Sequence, residues 1–144
     1  MVFLTVPIKD FFNYLRAYIK ETWNIDVTME LQNSTKEQLT LYFVNVSNVK
    51  NTDLYNGSCD ILVHLDYRCK LNVNQPYDVI ERIVNMYLEL GRMRGKNIAT
   101  PDDTKKLRLY KSAIIVNPFA DYDNKDDRHI RCEIQFSIDL ATIA

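Results

Sequence analysis

Residues 59–73 keep period two: Cys59, Ile61, Val63, Leu65, Tyr67, Cys69, Leu71 and Val73 share one phase, while the other is mostly polar, with Asp60, His64, Asp66, Arg68, Lys70 and Asn72 beside the one apolar Leu62. Period two marks a half-buried β-strand, because successive side chains leave a strand on opposite faces. Extended, this stretch spans roughly 50 Å at ~3.3 Å per residue. One domain of 144 residues has a radius of gyration near ~15 Å, hence a width of roughly 40 Å. The strand is longer than the body that should contain it. It must curve, or one end projects as an arm whose apolar face a second subunit covers, and Tyr67, Leu71 and Val73 are the apolar residues of that end.

The remaining elements follow from the same patterning. Ile8, Phe11, Phe12, Leu15 and Ile19 form one helical stripe over residues 7–22, with Pro7 suited to the first turn. Residues 25–31 alternate as a short strand. Over 39–49 the apolar phase slips from Leu39, Leu41 and Phe43 to Val44 and Val46, which predicts a bulge. A second helix over 76–93 carries Val79, Ile80, Ile83, Tyr87 and Leu90 inward, with Asn74 as its cap and Gly91 or Gly95 as its stop. A polar link over 96–106 leads to a strand over 107–116, then an acidic loop over 117–128. The last strand, over 129–140, alternates Ile130, Cys132, Ile134, Phe136, Ile138 and Leu140 with polar residues. The predicted fold is α+β, a single domain over 1–144 in the order α-β-β-β-α-β-β. Its sheet is mostly antiparallel, because the strands have polar second faces, and both helices pack on one face.

Composition narrows the function by exclusion. Hydrophobic residues at 47% and charged residues at 26% match a globular domain and exclude disordered and collagen-like classes. With 3 Gly and 4 Pro, the chain has no material for a glycine-rich phosphate loop or a Pro-rich recognition tract. Net charge is -1, so no global field draws it to nucleic acid or anionic lipid. No apolar run approaches the ~20 residues of a membrane span and the start lacks a leader pattern, so synthesis in the cytoplasm and no membrane contact are expected. Cys59, Cys69 and Cys132 form no zinc spacing, and reduced thiols are expected.

Chemistry-bearing clusters weigh weakly. The stretch 121–127 starts like a calcium loop, but Lys125 takes a ligand position and Cys132 stands where a bidentate Glu is needed, so no metal and no cofactor are expected. His129 and Cys132 fall on opposite faces of one strand, and His64 with Asp66 lacks a nucleophile, so no catalytic residue is assigned and the chain is not expected to be an enzyme. Arg92, Arg94 and Lys96, followed by Lys105, Lys106, Arg108 and Lys111, gather positive charge. The order of the first five elements matches a double-stranded RNA-binding domain, but the second helix opens on Pro76, Tyr77, Asp78, Val79, Ile80 and Glu81, whose acids would repel phosphates.

A chain of this size with an N-terminal amphipathic helix, three strands, a central helix starting at Pro76, a strand, a loop and a final strand over 129–140 resembles the tail terminator proteins of long-tailed bacteriophages. The resemblance runs over nearly the whole chain and rests on element order and size. It implies a structural virion protein: a homo-hexameric ring that caps the tail tube, joins it to the neck or connector of the head, and lets DNA pass through its lumen without sequence-specific binding. Such a protein sits in the virion tail or neck after assembly in the host cytoplasm. A head-tail connector or neck adaptor is the nearest alternative, and a nucleic-acid-binding α+β module or an enzyme uniting His64 and His129 between subunits are more distant ones. Beside the arm residues, the acidic Asp121, Asp123, Asp126 and Asp127 are expected either to line the lumen, where they would not grip passing DNA, or to meet Arg92, Arg94 and Lys96 of a neighbour.

Overall fold

The computed structural model describes residues 6–28, 37–51, 56–70, 76–98, 105–121 and 127–142. Eight elements follow in the order α1 (Ile8–Trp23), β1 (Val27–Thr28), β2 (Gln38–Asn51), β3 (Asn56–Lys70), α2 (Pro76–Leu90), β4 (Arg94–Ile98), β5 (Lys105–Asp121) and β6 (Asp127–Thr142). They build one six-stranded sheet ordered β1-β2-β3-β6-β5-β4. Every pair is antiparallel except β1 with β2.

This corrects the α+β expectation. The fold is dominated by a mixed sheet with two helices laid on it, and it has one strand more than the predicted order. The extra strand is β4, where a polar link was expected. Its residues carry no period-two pattern, and only Ile98 among them is buried; pairing with β5, from Arg94↔Lys111 to Ile98↔Leu107, holds it in place. The predicted strand over 25–31 is only the pair Val27–Thr28 among the described residues, and it lies parallel to β2.

Among the described residues the long alternation forms β3, Asn56–Lys70, with no projecting part. The width estimate treated the body as a sphere, whereas the chain supplies long neighbours that make a slab: β2 has 14 residues, β5 has 17 and β6 has 16. β3 is paired with β6 on every rung from Asn56↔Ala141 to Lys70↔Asp127. Tyr67, expected at the projecting end, is fully buried, and its hydroxyl donates to Glu37, which also pairs with Arg82 of α2. Leu71 and Val73 lie outside the described residues.

One apolar cluster joins both helices to the odd-numbered face of β3 and the even-numbered face of β6. Phe11 of α1 meets Phe136 with ring centroids 5.2 Å apart. Tyr87 of α2 is fully buried and its hydroxyl donates to the carbonyl of Ile130 at 2.6 Å. Helix α1 stops at Asn24, which takes a left-handed φ of 56° and returns its N–H to the Lys20 carbonyl. Helix α2 ends against β5, where Ser112 Oγ donates to the Leu90 carbonyl at 2.6 Å and accepts from the Met93 N–H at 2.8 Å. Gly91 permits this approach, since a Cβ there would lie 2.4 Å from Ile114 Cγ1.

The phase slip in β2 takes the form of register shifts between Phe43 and Asn45 and between Ser47 and Lys50. Asn48, at φ 52°, occupies the second shift, and its side-chain amide donates to Asp60 Oδ2 at 2.7 Å. Gln135 of β6 donates to the same oxygen at 3.0 Å, so one carboxylate on β3 holds both neighbouring strands.

Candidate functional site

Two features stand apart from the core: a polar ladder on the face away from the helices, and two open stretches of sheet edge. The ladder comes from the second phase of β3 and β6. Register sets His64 opposite Glu133, Asp66 opposite Arg131 and Arg68 opposite His129. Asp66 is the hub, with its carboxylate 3.4 Å from Arg68 Nε, 3.5 Å from Arg131 Nε and 3.8 Å from His129 Nδ1. It is only 3% exposed, so the two guanidinium groups act on it through little water. His64 Nδ1 lies 3.7 Å from Glu133 Oε2. Both histidines thus share a face within a single chain, each beside its own carboxylate, and no second subunit is needed to bring them to the same surface.

This ladder lacks a nucleophile. Cys132 is buried on the opposite face, and burial, with a smaller contribution from Glu133, pushes its thiol far above the ordinary range. The Cys59 thiol is pushed up to about 11 by burial and then by the Asp60 charge. Neither is a thiolate near neutral pH. Among the described residues no group of His, Cys, Asp and Glu converges as a metal site. The ladder fixes the β3–β6 register, because a one-residue slip would drive these charges into the core.

The second feature is the sheet's margin. Among the described residues β1 pairs with β2 only at Leu39 and Thr40. On the other side β4 pairs with β5 only from Leu107 to Lys111. The outer edges of residues 42–51 and 113–121 therefore carry no described strand. Of the exposed large apolar side chains, six sit on these two stretches: Phe43, Val44 and Val49 on β2, and Ile115, Val116 and Phe119 on β5. Tyr77 and Tyr110 complete that set. None of the six is among the residues expected at an interface, although Phe43 and Val44 mark the predicted bulge. Val44 and the uninterrupted run 113–116 break the alternation, and that break was the available signal.

The basic residues do come together. Arg94 lies opposite Lys111 and Asn97 opposite Arg108, so Arg92, Arg94, Lys96, Lys106, Arg108 and Lys111 form one exposed margin around β4. The acidic group is remote from it within the chain. Asp121 closes β5 and Asp127 opens β6, about 33 Å from Lys111 along the strand at ~3.3 Å per residue. Asp123 and Asp126 lie outside the described residues.

No family model and no curated protein matches the chain. A solved structure whose name describes no activity is similar in fold, with a TM-score of 0.50 and 10% sequence identity over 95% of this chain and 94% of that one. No helix among the described residues is long and apolar enough to cross a membrane.

Proposed function

We propose that this chain is the subunit of a structural ring like those of the tail terminator proteins of long-tailed bacteriophages, capping a tail tube and joining it to the neck of the head. The supporting observation is the placement of exposed apolar side chains on edges that no strand covers among the described residues, at two margins of one sheet. Exposed strand edges are ordinarily blunted by charge, because they template association. Residues 42–51 and 113–121 hold only Lys50 and Asp121 as charged residues, in a chain that is 26% charged. Register shifts interrupt both edges and Pro118 removes one donor from the second, and between these interruptions the exposed apolar side chains remain for a partner to cover.

In this role the protein is a virion component without catalysis or cofactor, and DNA passes through the ring without base readout. A neck adaptor would use the same ring at the adjoining position. The experiment is to add purified protein to a polymerising tail tube protein. Tubes that stop growing and carry a ring of density at one end support the reading, and unchanged tube growth contradicts it.

One observation favours a second reading, a nucleic-acid-binding module: the six exposed cations around β4. Fluorescence anisotropy with duplex RNA and DNA at low and high salt separates the two. Salt-dependent binding by a stable monomer would replace the ring.

A further inference from the structure

The two open edges are not equivalent in position, and their offset identifies the contact that would build a ring. Followed across the sheet, the rung through Asp121 and His129 continues through Arg68 to Gln38, while the rung through Leu107 and Leu140 continues through Gly57 to Asn51. β1 occupies the outer edge of β2 at the first of these ends, and β4 occupies the outer edge of β5 at the second. The open part of β5 is thus at the end where β2 is covered, and the open part of β2 is at the end where β5 is covered.

We propose that residues 113–121 of one copy lie antiparallel along residues 42–51 of the next, continuing the sheet from subunit to subunit. This rests on the ring reading above and specifies its interface. Direction agrees: β2 and β5 already run opposite ways within the sheet, as an antiparallel junction between copies in the same orientation requires. Length agrees, since the open stretches of β5 and β2 span six and seven rungs of their inner neighbours, roughly 20–23 Å at ~3.3 Å per rung. Charge does not oppose it, with one Lys on one edge and one Asp on the other. Shape selects it. Sliding the neighbour by about four residues, roughly 13 Å, seats its open β2 edge on the open β5 edge. That β2 edge then lies beside β4, and the neighbour's β1 lies beyond the end of β5, so the two short strands act as stops. The outer margin of β4 carries Arg94 and Lys96, the charged protection that the open edges lack.

The contact is heterologous, so it propagates until it closes. The slide assists closure, because strands of a closed sheet must tilt and stagger. Each copy contributes four long strands, β2, β3, β6 and β5, so a four-residue offset is about one residue of stagger per strand. This is the ratio of an eight-stranded barrel with a shear of about eight.

The test blocks each edge separately. Val49 and Ile115 are 55% and 54% exposed, so Val49→Lys and Ile115→Lys should leave the fold intact, which thermal unfolding checks. Val44→Lys and Phe119→Lys provide an independent pair. At concentrations where the native protein assembles, light scattering should show each variant alone at the mass of one chain. An equimolar mixture of the two should give a two-chain complex and nothing larger, because only one junction can form. Variants that assemble like the native protein would overturn this interface while leaving the ring reading standing. A single variant that forms two-chain complexes by itself would show like-with-like pairing and also overturn it. A native protein that remains one chain and leaves tail tubes uncapped would remove the ring reading itself.

Discussion

Asp66 and Arg131 face each other across the β3–β6 pair with carboxylate and guanidinium 3.5 Å apart, on the sheet face that carries no helix. Arg68 and His129 close on the same carboxylate, so its negative charge is shared among three neighbours. Replacing Asp66 by Asn leaves the Arg68 and Arg131 guanidinium groups facing one another without a counter-charge. Breaking a fully buried pair costs ~3–5 kcal/mol, and partial exposure of the two arginines reduces this to about 2–3 kcal/mol. Urea unfolding should show a lower midpoint with an unchanged slope. A midpoint equal to that of the native protein would mean the ladder contributes nothing to stability.

The junction of α2 and β5 has no room to spare. Gly91→Ala places a methyl group 2.4 Å from Ile114 Cγ1, and relieving that overlap should cost about 1–3 kcal/mol. Adding Ile114→Val should recover part of the loss, since it removes the Cδ1 atom on that side. Non-additivity in the double variant, measured by denaturation, checks the contact directly.

Alkaline pH should weaken the fold in a defined window. Burial raises the Cys59 thiol from its ordinary 9.0 to about 11, and burial first of all raises the phenols of Tyr67 and Tyr87 above 10.0. Above pH 9 the unfolded chain therefore holds fewer protons than the folded one, and stability falls as pH rises. The Cys59 contribution is complete below pH 9 and lost as pH passes about 11. Melting temperatures should be level from neutral pH to 9 and decline beyond it, with a shallower decline from the same onset in Cys59→Ala, where the buried Cys132 thiol and the two phenols still carry the effect. A level profile through pH 11 would contradict the burial of these groups.

How much of this was legible in the sequence depends on what held each segment. β3 and β6 declared themselves because each buries one complete phase of side chains. Tyr67 was misplaced because strand length was compared with a sphere rather than with neighbouring strands. β4 was invisible because backbone pairing to β5 holds it, with little apolar burial of its own. The upper half of β5 was cut short at Val116 because bulges between Ile114 and Val116 and between Val116 and Phe119 destroy the alternation there. The same bulges and exposed residues mark the open edge, so the region that periodicity reads worst is the one to which assembly is assigned. The ladder was half visible. His64, Asp66 and Arg68 share a phase in the sequence, but their partners Glu133, Arg131 and His129 became known only from the register.

The central claim is that the two open edges exist to meet each other in separate copies. Light scattering of the native 16.9 kDa chain across a range of concentrations, with negative-stain imaging of the same samples, tests it most directly. The expected result is a closed particle several chains in mass with a central hole. A single-chain mass at every concentration, with no rings in the images, would contradict it.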